Sequence, residues 1–97
     1  MKSNIKNIYD ELYQHWLKEY DKKELTKLEL DAFSNYKRAL DYLNNFKPEK
    51  DDKIKIEFLT SYKENFNFLL MDFLKIREIK LINAALVLKE IELEALL

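Results

Sequence analysis

The chain has 97 residues, 17 of them basic and 18 acidic, and a net charge of −1. It contains no cysteine, no glycine and a single proline. These counts exclude disulfides, thiolate metal sites and a cysteine nucleophile, and also phosphate loops and Rossmann turns, whose backbone positions only glycine occupies cheaply. With 47 % apolar residues the chain can build a core and is no disordered segment. Its length suits one small domain. Split after Phe46, neither half is a basic lobe, so strong binding to nucleic acid by this chain alone is not expected. Abundant Lys, Glu, Leu and Ile beside scarce turn residues predict an all-α protein. The missing cysteines and the absence of an apolar leader in "MKSNIKNIYDEL" fit a cytoplasmic location, nucleoid-associated in a prokaryote.

The first predicted helix covers about 4–20. Ile5, Ile8, Tyr9, Leu12, Tyr13, Trp16 and Tyr20 recur there at three and four, and Ser3 or Asn4 can cap it. "DKKELTKLEL" is a connection, with Leu25, Leu28 and Leu30 free to tuck under it. Asp31 reads as the N-cap of a second helix over about 31–46, with an apolar seam of Phe33, Tyr36, Leu40 and Leu43. "NNFKPEKDDK", with Pro48, ends it. From about 52 to 94 no residue stops a third helix. Ile56, Leu59, Tyr62, Phe66, Leu69, Phe73, Ile76 and Lys80 share one face. The alternation over Ile54–Phe58 leaves a short strand as the lesser alternative.

The expected architecture is therefore two shorter helices packed against a long C-terminal helix in a single domain, 1–97. The third helix, roughly 60 Å long, exceeds what two helices of roughly 25 Å cover. Part of it must project, fold back or be covered by another chain. The Leu and Ile of "LINAALVLKEIELEALL" favour a partner. The heptad pattern does not hold through Arg77, which disfavours a plain coiled coil. Asp72, Lys75, Arg77, Glu78 and Lys80 interrupt the apolar run 68–88 too often for a membrane span.

No constellation for catalysis emerges, and an enzyme is not expected. His15, the sole histidine, has no second imidazole near it and reads as structural. Asp51 and Asp52 suit helix capping better than acid–base work, and Ser3, Ser34 and Ser61 lack a nucleophile signature. Tyr36 and Tyr62, next to cations, lie on core faces and so pack better than they would stack on bases. Nothing calls for a cofactor or a metal. Arg77 and Lys80 are the exception to bland composition: three apart, they share an apolar face of the long helix. Burying either alone costs several kcal/mol. Their heads can snorkel to water, pair with acidic groups of the first or second helix, such as Asp10, Glu11 or Asp41, or meet a partner subunit. With Ile76, Leu81, Leu86 and Leu88 they are the candidate interface or register-setting residues.

"LLMDFLKIREIKLINAAL" resembles the signature helix of GINS subunits of replication complexes, with Phe73-Leu74-Lys75-Ile76-Arg77-Glu78-Ile79-Lys80 as the matching core. The start, through Asp31-Ala32-Phe33, is similar to the archaeal-type subunit class that places its helical domain first. The resemblance implies a non-catalytic DNA replication factor. Its helical domain would assemble with other GINS subunits in a hetero-oligomer and with the MCM helicase and a RecJ/Cdc45-like protein. The family's β-rich second domain has no counterpart after Ile56, so that Leu97 reads as a truncation. A stand-alone helical homodimer, acting as adaptor or regulator, is the rival expectation.

Overall fold

The computed structural model describes residues 2–47 and 53–96. Three helices follow one another: α1 (Lys2–Asp21), α2 (Leu30–Asn45) and α3 (Lys53–Leu96). Two short helices pack against one long one, as the composition predicts. No strand occurs among the described residues, and the alternating stretch Ile54–Phe58 is the first part of α3. Pro48, the Asp51–Asp52 pair and Leu97, to which the sequence reading assigns a breaker, a cap and a chain end, lie outside the described residues.

The core draws on all three helices. Leu12 of α1, Tyr36, Ala39, Leu40 and Leu43 of α2, and Phe66, Leu69, Leu70 and Phe73 of α3 are buried. Ile5, Ile8, Tyr9, Trp16 and Tyr62 close its margins. The spacing of these residues is the helical three-and-four, so each helix turns one stripe inward. Aromatic rings knit the centre. Phe73 meets Tyr36 edge-on at 6.4 Å and the His15 ring at 4.6 Å. Trp16 also donates its indole N–H to Asp72 across the α1–α3 contact at 2.8 Å.

Several sequence expectations shift. Tyr13 and Tyr20 lie outside the core, 41 % and 71 % exposed, where they flank Trp16 at 6.0 and 5.9 Å. The core-facing line of α1 passes through Glu19 instead. Asp31 is not the N-cap of α2. That position falls to Glu29, which makes no side-chain cap bond, and Asp31 sits in the first turn. There its charge still complements the positive helix end. Ser3 and Asn4 fall within the first turn of α1 and not ahead of it. Of the connection's leucines only Leu28 packs on the core, while Leu25 and Leu30 stay exposed.

The long helix neither breaks nor folds back. Its 44 residues span about 66 Å at 1.5 Å per residue, which accounts for the 70 Å length of a molecule only 21 × 19 Å across. α1 and α2 cover its first half. Every described residue from Leu81 onward is exposed. Among the described residues no helix is long and apolar enough to cross a membrane.

This division makes a stability prediction. Truncating Phe73→Ala should cost about 3–5 kcal/mol, because the ring is fully buried among three helices. Leu88→Ala should change stability by about 0.5 kcal/mol or less. Urea unfolding of the two variants measures both, and an equal loss would mean that the far half of α3 is covered within the chain.

Candidate functional site

The glycine-free sequence creates a problem where α1 ends. Helices commonly terminate through a left-handed residue, usually glycine, that lets the last carbonyls find donors. No described residue has positive φ. The chain leaves α1 through 22–29 without regular secondary structure; Lys22 N–H donates to the Lys18 carbonyl at 3.0 Å, and the carbonyls beyond it need donors from elsewhere.

Arg77 and Lys80 of α3 supply the donors. Lys80 Nζ donates to the Glu19 carbonyl at 2.6 Å and to the Glu24 carbonyl at 2.9 Å. Arg77 Nη1 donates to the Thr26 carbonyl at 2.6 Å. Both cations also converge on one carboxylate. Arg77 reaches Glu19 Oε1 at 2.8 Å and Lys80 reaches Glu19 Oε2 at 2.6 Å. The Thr26 hydroxyl and backbone N–H donate to the same carboxylate at 2.6 and 3.1 Å. Glu19 is fully buried, and the two cation side chains are 15 % and 14 % exposed. A positive charge at the C-terminal end of α1 also suits that helix's dipole.

The network continues to His15. Because Thr26 gives its hydroxyl proton to Glu19, its oxygen accepts from His15 Nε2–H at 2.9 Å. That pattern assigns His15 the neutral Nε2–H tautomer, with Nδ1 facing the Tyr36 hydroxyl at 3.5 Å. Burial pushes the His15 pKa below 6.5, and Arg77 and Lys18 add to that effect. For Glu19, burial would raise the pKa. The bonds from Lys80, Thr26 and Arg77 outweigh it and hold the carboxyl at about 2. Such a carboxylate is a poor proton acceptor near neutrality. The cluster is built to hold three segments together. No group of three His, Cys, Asp or Glu side chains suited to a metal ion occurs among the described residues.

The sequence-selected residues thus separate. Arg77 and Lys80 pair with an acidic group of the first helix, one of the expected alternatives, but the residue is Glu19 and not Asp10, Glu11 or Asp41, all of which are exposed. Ile76 is half-buried beside them. Leu81, Leu86 and Leu88 stand in solvent at 55, 57 and 62 % exposure. Glu19 and Thr26 escaped the sequence reading. Glu19 carried a signal: it follows Leu12 by seven and His15 by four, which places a carboxylate on the apolar face of α1. Thr26 carried none, because a connection has no periodicity to read. No protein-family model, curated protein or solved structure matches this chain.

The Glu19 cluster should govern acid unfolding. The folded pKa lies below the ordinary value of 4.5, so its stabilisation is present above that pH and is lost as pH falls toward about 2. Chemical denaturation across that range should show stability declining, and Glu19→Gln should flatten much of the decline while lowering stability at pH 7. Arg77→Ala, which strands part of a buried charge pair, should cost about 3–5 kcal/mol at pH 7. A loss below about 1 kcal/mol would show the cluster to be dispensable for the fold.

Proposed function

We propose that this chain is a non-catalytic assembly domain of the DNA replication machinery. In this reading it is the helical domain of a GINS-type subunit, joined to other subunits through the free half of α3. One observation supports assembly above all. Leu81, Ile82, Leu86, Val87, Leu88, Ile91 and Leu93 are each more than half exposed on the half of α3 that no other described element covers. Contiguous apolar surface of this extent is uncommon on a protein that works alone. The replication assignment rests on the likeness of 73–80 to the GINS signature helix. The MCM helicase and a RecJ/Cdc45-like protein enter as partners through that likeness only.

The cations of the motif act inside the chain in this reading. By clamping α3 to the end of α1 they fix how far the free half extends and which of its faces points where. They set the register of the long helix against its own domain, and the apolar residues beyond them meet the partner.

A specific feature also favours a second reading, the homodimeric adaptor. Leu81, Ala84, Leu88, Ile91 and Ala95 continue the core-facing line of α3 with alternating spacings of three and four, the pattern of a helix-pairing seam.

Purification of the tagged chain from its native cells, with sedimentation of the isolated protein, tests both. The GINS reading expects a monomer alone and a stoichiometric complex with other GINS subunits in the cell. Leu86→Asp with Leu88→Asp should abolish that complex and leave the isolated domain folded. A tight homodimer without GINS partners would establish the adaptor reading instead. A monomer that brings down no subunit, or a complex indifferent to the two aspartates, would sink the assembly proposal.

A further inference from the structure

The face of α3 opposite the core carries a second apolar line. It runs from Phe68 and Met71, beside the bundle, through Ile79, Ile82 and Leu86 to Leu93 on the free half. All six are between 50 and 64 % exposed. Successive members, with Lys75 and Lys89 between them, are three or four apart, so they form one continuous stripe along a helix. Alternating heptad spacing holds on this line from Lys75 to Leu93, and Phe68 and Met71 extend the same face toward the bundle. A solvent-facing helix side in a monomer is ordinarily polar.

The two lysines define what fits. Lys75 and Lys89 occupy the same heptad position two heptads apart, about 21 Å along the axis. Both are exposed, and neither takes part in an ion pair among the described residues. A second copy of this chain is a poor occupant in the two registers that bring the lysines of both copies together. Parallel in register, it sets each lysine against its own copy. Antiparallel about Ile82, it sets Lys75 against Lys89. Either arrangement opposes like charges inside an apolar seam, which is destabilising. Six apolar side chains, each at least half exposed, together with two lysine stems make up the line.

We infer that the outer line of α3 seats an amphipathic helix of a different protein. That helix presents an apolar heptad face with carboxylates two heptads apart, placed to meet Lys75 and Lys89. The inference rests on the reading of α3 as a binding helix and specifies its partner's chemistry and its seat. The lysines would act mainly in selection: opposite an acidic residue the charge is paired, and opposite a basic or apolar residue it is stranded.

Two designed helical peptides probe this seat. Both carry five heptads with Leu at the seam positions. One has Glu at two seam positions two heptads apart, the other Lys at the same places. Fluorescence titration of the whole protein should show the Glu peptide binding at least tenfold tighter. Lys75→Glu with Lys89→Glu should invert the preference. Phe68→Asp with Met71→Asp should abolish binding, while Val87→Asp with Ile91→Asp on the opposite line should leave it within about threefold, a margin well under the tenfold that 1.4 kcal/mol represents. Circular dichroism checks that each variant remains folded. Equal binding of both peptides, or of neither, overturns the inference. So does binding lost only in the Val87–Ile91 variant, or self-association of the unmodified chain through Phe68 and Met71. The assembly reading fails separately, when Leu86→Asp with Leu88→Asp leaves the native complex intact.

Discussion

Glu19 is a carboxylate without access to solvent, and four donors, two from the adjoining connection and two from the distant α3, are aimed at it. Desolvating a carboxylate costs several kcal/mol, and that cost is recovered only when charge and hydrogen bonds are supplied with good geometry. Here both oxygens receive a cation and a threonine donor, and no buried side-chain polar atom among the described residues lacks a partner. The arrangement is consequently intolerant. Removing any one member leaves others buried and short of bonds, which is worse than an apolar replacement of the whole set. The position of the connection 22–29 and the docking of α3 on α1 follow from this one cluster.

The absence of glycine explains why cations are needed there. A helix end closed by a left-handed residue satisfies its own carbonyls locally. In this chain the carbonyls of Glu19, Glu24 and Thr26 take their donors from α3, more than fifty residues later in sequence. A local feature of α1 thereby becomes a tertiary contact. The end of α1 is well formed only when α3 is docked, so the corner and the docking should form together. Trp16 and Asp72 add a second polar tie one turn deeper, and between them the two ties fix both rotation and translation of α3.

Much of this architecture can be read from residue spacing. The stripes through Leu12, Tyr36, Leu40, Phe66 and Phe73 identify three helices and their inward faces, because each side chain follows the helical period and is apolar. The excess length of α3 over its companions is legible for the same reason. What spacing misses is where the polar groups close. Tyr13 and Tyr20 look like core residues by composition, yet the amphipathic ring of tyrosine is content half in water. Glu19 looks like a surface residue by composition, yet its place on the Leu12 line overrides its charge. Thr26 and the carbonyls of the connection have no period, so the half of the cluster they supply is visible only in three dimensions. Arg77 and Lys80 are conspicuous in sequence because they interrupt an apolar face, but the interruption alone does not distinguish an external partner from an internal one.

That distinction bears on what an Arg-x-x-Lys pair in such a helix signifies. In this chain Arg77 Nη1 and Lys80 Nζ are engaged by Glu19, Thr26 and two further carbonyls, and both side chains are largely buried. The proposed likeness to the GINS signature helix therefore speaks first to how the corner between α1, the connection and α3 is built. Selection of a partner has to come from residues that remain available, and those are the two lines of α3 on either side of the clamp. On the core-facing line, small residues at Ala84 and Ala95 permit close approach of another backbone and impose little chemistry. On the outer line, Lys75 and Lys89 impose more, since a cation in an apolar seam is best accommodated opposite a matching charge. One helix thus divides its charges by role: the inward pair holds the domain together, and the outward pair discriminates among the helices that could lie against it.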